Sequence, residues 1–523
     1  QSPYVVAALN GDVDNHGELR VAHGLRIHAP FTTDAKVIPA LVSRAIPAGR
    51  ATDASALADA FRRTVSEFEG SVAVAAAVAD DPGRLLLALR GSGQGLYVGV
   101  AEDRFVVASE PYGVVEETDR YVRMDGESGG EIIVLSADRA GEPDGLVRVG
   151  YDGVERPIDL GDGGDIVTAE VTTRDIDRGD APHFLLKELT ESPESFRKTL
   201  RGKIVEYEGT LRAAVGDAAL PPQVRERLEA GTISRIVVIG QGTAAVAGQS
   251  AAALLTELLG GQIGVEATTA TELSGFGMRL DMSDTLAIAV SQSGTTTDTN
   301  RTVDLLRARG AAVIGIVNRR GSDLVDKADW VLYTSDGRDV EMSVASTKAF
   351  YSQVAAGALL ACAIAEASGH GDPSRRHRLL AALRELPAAL VEVLDRRETI
   401  AAAAHRFAPS KRYWAVVGNG PNRVAAEEVR IKLSELCYKS ISCDATEDKK
   451  HIDLSSEPLI LVCAAGLRGG TASDVAKETA IFRAHKATPI VVADDGETSY
   501  VSAATVHVPP VDPALGFVLS SMV

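Results

Sequence analysis

Twice in this chain an apolar run ends in a Gly-x-Gly turn and opens into a helix. The first is Arg235-Ile236-Val237-Val238-Ile239-Gly240-Gln241-Gly242, and the second is Tyr413-Trp414-Ala415-Val416-Val417-Gly418-Asn419-Gly420. A second strand–glycine–helix unit follows each: Thr285-Leu286-Ala287-Ile288-Ala289-Val290 before Gly294, and Leu459-Ile460-Leu461-Val462-Cys463 before Gly466. Each copy then supplies a further apolar strand, residues 312–317 and 489–493. Short apolar runs alternating with helices read as buried parallel strands, so the repeat predicts a duplicated, doubly wound α/β module. The helical run 375–397 would join the copies.

Residues 1–172 have a different rhythm. Short strands over 71–78, 85–89, 96–100 and 104–108, with helical stretches at 36–44 and 55–69, predict an α+β domain with mainly antiparallel strands. The polar segment 174–180 reads as the linker. The expected division is therefore 1–172, 173–374 and 375–523.

The stretch Ser291-Gln292-Ser293-Gly294-Thr295-Thr296-Thr297-Asp298-Thr299 sits between a strand and a helix. Hydroxyls, a close-approach glycine and a helix N-terminus together suit a phosphate, although a hydroxyl-rich turn alone also serves as a good helix cap. A rival reading rests on Gly240-Gln241-Gly242-Thr243-Ala244-Ala245 with Glu266 at the end of the next strand, which fits a dinucleotide fingerprint. The second copy keeps the glycines and loses the rest, and the 291–299 turn has no role in such a site.

A net charge of −18 argues against duplex nucleic acid or an anionic membrane as partner. Cys362, Cys437, Cys443 and Cys463 show no paired spacing, and with no signal or long apolar run a cytoplasmic location is expected. Both ends read as interior sequence, and the chain is expected to be a fragment.

With Ser291-Gln292-Ser293-Gly294, Thr296, Asp298-Thr299 and Val344-Ala345-Ser346-Thr347-Lys348-Ala349-Phe350, the chain resembles the SIS (sugar isomerase) domains. More closely it resembles the glutamine:fructose-6-phosphate amidotransferase family. The segment Lys187-Glu188-Leu189-Thr190-Glu191-Ser192-Pro193 is similar to the opening of that family's isomerase half. Asn10-Gly11-Asp12-Val13-Asp14-Asn15-His16 and Thr32-Thr33-Asp34-Ala35 are similar to its glutaminase domain. The resemblance implies two flavodoxin-like SIS domains behind an N-terminal-nucleophile-type glutaminase domain, acting on glutamine and a hexose phosphate without cofactor or metal, in a homodimer.

It also implies roles. Thr243, Ser291, Gln292, Ser293 and Thr296 would hold the phosphate, and Ser346 with the backbone at Val344 would meet sugar hydroxyls. Glu428, Lys432 and Glu435 fall at i, i+4 and i+7, on one helical face. By resemblance Glu435 is the base between C1 and C2, Lys432 supports it, and His451 serves ring opening from a neighbouring subunit. Asn10 and Gly11 would form the oxyanion hole, and Asp34 would hold the α-amino group of glutamine.

The sequence departs from the family at Ala244 (usually serine), at Thr295 (usually glutamate) and over 447–453, where two glycines and a proline are replaced. The family's nucleophile is an N-terminal cysteine, and Gln1 does not align with it. That cysteine is expected upstream, or the domain is no longer a glutaminase. The Schiff-base lysine of the family would lie beyond Val523. A glutamine-independent isomerase or deaminase, or a non-catalytic sugar-phosphate-binding protein, stays open beside the amidotransferase.

Overall fold

Alternation of burial along the N-terminal strands decides how they stack. In the computed structural model, which describes residues 3–28, 30–46, 54–91, 93–126, 129–159, 164–169 and 171–523, the chain divides into two units, Gln1–Asp177 and Arg178–Val523. In the first, Val5–Gly11, Val72–Val78, Asp81–Arg90, Glu131–Ser136 and Leu146–Gly150 form one sheet in that order. A second sheet runs Phe105–Ala108, Tyr97–Val100, Arg120–Arg123, Ile166–Thr168. The pairings within both sheets are antiparallel. Because side chains alternate across a strand, Val72, Val74, Leu86 and Ile132 face Ile38, Leu41, Phe61 and Val65 of the helices Val37–Ala45 and Ala54–Val65. Ala73, Leu87, Leu89 and Ile133 face Val98 and Val122 of the second sheet.

The expected linker carries a short helix, Thr173–Ile176, started by a capping box in which Asp175 accepts from the backbone N–H of Thr172 at 2.8 Å. A local side-chain cap makes structure here that composition alone does not indicate.

The second unit holds both copies of the repeat. The first sheet consists of β1 (Arg235–Gly240), β2 (Gly264–Thr269), β3 (Thr285–Ser291), β4 (Ala312–Val317) and β5 (Trp330–Tyr333). The second consists of β6 (Trp414–Gly418), β7 (Ile441–Asp444), β8 (Leu459–Cys463), β9 (Thr488–Asp494) and β10 (Ala504–Val508). Both are parallel, and their orders correspond: β2-β1-β3-β4-β5 and β7-β6-β8-β9-β10. These are two doubly wound parallel sheets.

Around them lie α1 (Phe184–Leu200), α2 (Thr243–Leu259), α3 (Thr297–Ala308), α4 (Lys348–Ala367), α5 (Pro373–Asp395), α6 (Arg397–Phe407), α7 (Asn422–Cys437), α8 (Thr446–Lys449), α9 (Gly469–Ala484) and α10 (Gly516–Met522). The joining helix α5 starts where Asp372 accepts from the Ser374 N–H at 2.8 Å and Pro373 has no donor to lose. α4 is long and apolar enough to cross a membrane, but 94% of its most apolar window is buried. It is a core helix, sharing one apolar cluster with residues of both copies, among them Ile236 and Val416.

Candidate functional site

A parallel sheet of this strand order leaves a crevice at the carboxyl ends of its first and third strands, where successive crossovers leave on opposite faces. In the first copy two turns meet there. One runs from Gly240 to Thr243, and the other is the hydroxyl turn that begins with Ser291, the last residue of β3. The Gln241 side-chain amide donates to Asp298 at 3.3 Å and ties the two together.

Within the hydroxyl turn, Ser291 Oγ accepts from the Gly294 N–H at 3.0 Å and lies 3.5 Å from Thr296 Oγ1. Ser293 Oγ accepts from Thr295 N–H at 3.2 Å and Thr295 Oγ1 at 3.0 Å. The Asn300 side chain, buried on α3, donates to the Gly294 carbonyl at 3.0 Å. The turn is thus pre-shaped by its own small polar groups, with a helix N-terminus behind it. Gln292, Ser293, Thr295 and Thr296 are partly exposed, an arrangement that suits a phosphate group.

Thr243 differs from its sequence-based placement. Its hydroxyl donates to Glu428 Oε1 at 3.2 Å and accepts from Lys432 Nζ at 2.9 Å, so it is engaged with α7 of the second copy rather than with the 291–296 turn. Lys432 lies 3.5 Å from Glu428 and 3.4 Å from Glu435. The i, i+4, i+7 spacing brings all three onto one face. Glu428 is buried and Glu435 half exposed. Burial pushes the Glu428 carboxyl up to about 7, against the opposing pull of Lys432 and Thr243. One of its oxygens, Oε2, has no hydrogen-bond partner. Two carboxyls in unlike surroundings on either side of one ammonium can divide proton-holding and proton-moving roles.

The segment that enters α4 adds Ser346. Its hydroxyl donates to Glu341 Oε2 at 3.0 Å, while Glu341 Oε1 accepts from the N–H groups of Thr347 at 2.7 Å and Ala349 at 2.9 Å. Burial raises the Glu341 carboxyl above its usual range, and the nearby Glu188 charge adds to this against the three donors. Buried Glu188, on α1, accepts from Met342 N–H at 2.6 Å and Ser343 N–H at 2.9 Å. Lys348 pairs with Glu191 at 2.6 Å. This scaffold leaves Val344 fully exposed at the tip. Ser346, Glu428 and Lys432 line the polar side of a cavity of about 460 Å³ whose remaining wall is mostly apolar, with Leu189, Phe350, Val429 and Leu433.

His451 lies elsewhere. It is exposed in the turn after α8, outside that cavity's lining. The turn is held by Lys449, a fully buried lysine that pairs with Asp453 at 2.5 Å and donates to Ser442 at 3.1 Å. In the N-terminal unit Asn10 and Gly11 end the edge strand Val5–Gly11. A Cβ on Gly11 would fall 2.0 Å from the Ser71 carbonyl oxygen. Asp34 accepts from Val13 N–H at 2.7 Å, two residues beyond Gly11. Partial burial opposes its charge, but the N–H groups of Val13 and Ala35 outweigh this and lower its carboxyl.

The dinucleotide reading fails on geometry. Glu266 pairs with Arg235, which begins β1, and stands opposite Val237 in the ladder. It is therefore remote from the Gly240–Thr243 turn at the other end of that strand, where a ribose hydroxyl would have to meet it.

Sequence reasoning missed the roles of Glu188 and Glu341 as anchors of the loop that carries Ser346, because their partners are distant backbone N–H groups. An acidic residue just ahead of Ser346 and the start of α4 was a usable signal for Glu341, since carboxylates favour helix N-termini.

Comparison with known proteins places this geometry. The SIS-domain profile matches residues 232–363, the span that holds the hydroxyl turn, Thr243 and Ser346. The solved C-terminal domain of glucosamine-fructose-6-phosphate aminotransferase from Francisella tularensis superposes with a TM-score of 0.58 at 20% identity, covering 66% of this chain and 96% of that one. Tagatose-6-phosphate ketose/aldose isomerase from Escherichia coli gives a TM-score of 0.50 at 18% identity, over 65% and 90% of the two chains. At these identities the likeness is one of fold. Full-length relatives extend it. The glutamine–fructose-6-phosphate aminotransferase (isomerizing) of Symbiobacterium thermophilum is 30% identical over 84% of this chain and 67% of its own length. That of Mycobacterium tuberculosis is 30% identical over 93% of this chain and 74% of its own. Similarity of that extent spans both units, and the chain belongs to the glutamine–fructose-6-phosphate aminotransferase (isomerizing) family.

Proposed function

We propose that this chain acts in a glutamine-dependent amidotransferase reaction that converts fructose 6-phosphate into glucosamine 6-phosphate. The domains are 1–172 for glutamine hydrolysis, and 173–374 with 375–523 for isomerisation and amination. The observation that carries the reading is the Thr243–Glu428–Lys432–Glu435 constellation, in which a hydroxyl of the first copy meets an acid–base face of the second.

In this reading the sugar's phosphate rests on Ser291, Gln292, Ser293 and Thr296, whose neutral donors and helix N-terminus offset its charge. Ser346 and the backbone at Val344 meet sugar hydroxyls. Glu435, the more exposed acid, takes the proton from C1 of the open ketose and returns it at C2. Lys432 offsets the negative charge that develops on the neighbouring oxygen. Buried Glu428 holds Lys432 in place through its side chain and Thr243. His451 gives and takes the ring-opening proton in the site of a neighbouring copy, within a homodimer. In the N-terminal unit, Asn10 and Gly11 stabilise the tetrahedral oxyanion, and Asp34 holds the α-amino group of glutamine.

The test is production of glucosamine 6-phosphate by the full-length protein supplied with fructose 6-phosphate and glutamine. Glu435→Gln should lower the rate ~10²–10⁴-fold, the usual range for losing a general base. A loss under about tenfold would remove Glu435 from that role. Sugar isomerisation that proceeds without glutamine and yields no amino sugar would overturn the amidotransferase reading.

A further inference from the structure

The hydroxyls of Ser293 and Ser346 are wired with opposite polarity. Ser293 accepts two hydrogen bonds, from Thr295 N–H at 3.2 Å and Thr295 Oγ1 at 3.0 Å, so its own proton is left to donate outward. That suits a phosphate oxygen. Ser346 instead donates its one proton to Glu341 Oε2 at 3.0 Å. The Glu341 carboxylate cannot turn away, because its other oxygen holds the N–H groups of Thr347 and Ala349 at 2.7 and 2.9 Å, at the start of α4. With its proton committed, Ser346 presents only lone pairs to the cavity that it lines beside Glu428 and Lys432.

We infer that Glu341 is a positioning residue that makes Ser346 a hydrogen-bond acceptor, so the substrate atom read by Ser346 must carry a proton. That atom is a sugar hydroxyl, and a carbonyl, ring or phosphate oxygen is refused there. Glu341 touches no substrate itself and acts through Ser346 and the loop backbone. The inference rests on the sugar-phosphate reading proposed above, and it adds which way the hydrogen bond runs and which residue sets its direction.

The experiment titrates the chain at pH 8 by calorimetry with fructose 6-phosphate and with its analogues in which one hydroxyl at a time is replaced by fluorine, which carries no proton. In the wild type one analogue should bind about tenfold or more weaker than the parent, the worth of one hydrogen bond in a desolvated site. In Glu341→Gln the side-chain amide keeps an oxygen for Thr347 and Ala349 and turns its NH₂ toward Ser346. The serine then accepts from it and points its proton outward, so the ratio of analogue to parent Kd should fall below about twofold. In Ser346→Ala the parent should weaken to the level of that analogue.

A ratio that Glu341→Gln leaves unchanged, or a wild type indifferent to every fluorine, overturns the inference while leaving sugar-phosphate binding intact. Absence of any fructose 6-phosphate binding by the wild type overturns both. If circular dichroism shows that Glu341→Gln does not fold, the Ser346→Ala arm decides. Equal weakening of parent and analogue there also overturns the inference.

Discussion

The duplicated module contains the same turn twice, and the two turns have opposite contents. In the first copy β3 runs into Ser291-Gln292-Ser293-Gly294-Thr295-Thr296. In the second, β8 runs into Cys463-Ala464-Ala465-Gly466-Leu467-Arg468. The backbones correspond: Gly294 has φ +68° and Gly466 φ +77°, and a helix follows each, α3 at Thr297 and α9 at Gly469. The donors do not. The Gly294 N–H goes to the neutral hydroxyl of Ser291, and partly exposed hydroxyls surround it. The Gly466 N–H goes at 2.8 Å to buried Asp494, which is also ion-paired with Arg468. The second turn is filled by a carboxylate of its own chain. What duplication preserves is the glycine that lets the strand turn into a helix. The side chains that bind can change without cost to the fold, which is why site chemistry has to be read separately from architecture.

The most severe way to break this comparison is to add a methyl group to each glycine. A Cβ on Gly294 would fall 2.0 Å from Ser322 Oγ and 2.6 Å from Ser322 Cβ, whereas on Gly466 the nearest atom, Pro513 O, is 3.1 Å away. Gly294→Ala should cost roughly 3–4 kcal/mol, from left-handed backbone strain together with a clash inside a packed wall, and should reduce hexose-phosphate affinity more than ~100-fold. Gly466→Ala should cost about 1–2 kcal/mol, mostly the backbone penalty with a close but relievable approach to the Pro513 and Gly516 backbone, and leave affinity within a few-fold. Denaturant unfolding and calorimetry give both numbers. Equal affinity losses would show that the turns are not functionally distinct.

Almost as large is the expected effect at Glu428, where the copies meet. Its carboxyl titrates near 7 in the fold against 4.5 for an ordinary glutamate, because burial disfavours the charge. The folded chain therefore holds this proton more tightly than the unfolded chain. The associated stability is complete below pH 4.5 and is lost as pH rises through 7, roughly 3 kcal/mol in all. Glu428→Gln has no proton there to lose, so its stability relative to wild type should rise by about that amount between pH 5 and pH 8. A difference that stays flat across the window would mean that Glu428 is not buried against Thr243 and that α7 docks on the first copy differently.

Much of this was legible in the sequence. The two sheets follow from the spacing of apolar runs and Gly-x-Gly turns, because buried parallel strands must be continuously apolar. The face shared by Glu428, Lys432 and Glu435 follows from helical periodicity. The partners that span long stretches of chain were not legible. Thr243 meets α7, Glu188 holds the 342–343 backbone, and Asp494 fills the second turn. Each is a polar contact between elements far apart in the chain, and no periodicity encodes such contacts. The dinucleotide alternative shows the same limit from the other side. Its spacing was acceptable, but strand register puts Glu266 opposite Val237, away from the end of the sheet where it would be needed.

The mildest prediction sharpens the comparison most, because it asks whether the second turn can be converted. Asp494→Ala removes the carboxylate, leaves the Gly466 N–H without its acceptor and takes the ion-pair partner from Arg468, which keeps only the Leu467 carbonyl, at a cost of about 1–3 kcal/mol. Those two donors, the N-terminus of the 16-residue helix α9 and the space left by the side chain make a small anion site. Inorganic phosphate should then stabilise the variant more than it stabilises the wild type. At tenfold over its dissociation constant it would restore about 1.4 kcal/mol. Thermal unfolding across a phosphate series, at constant ionic strength set with chloride, separates this from general screening. If phosphate stabilises variant and wild type equally, Asp494 is not standing in for an anion. The divergence of the two turns would then lie in their hydroxyls alone.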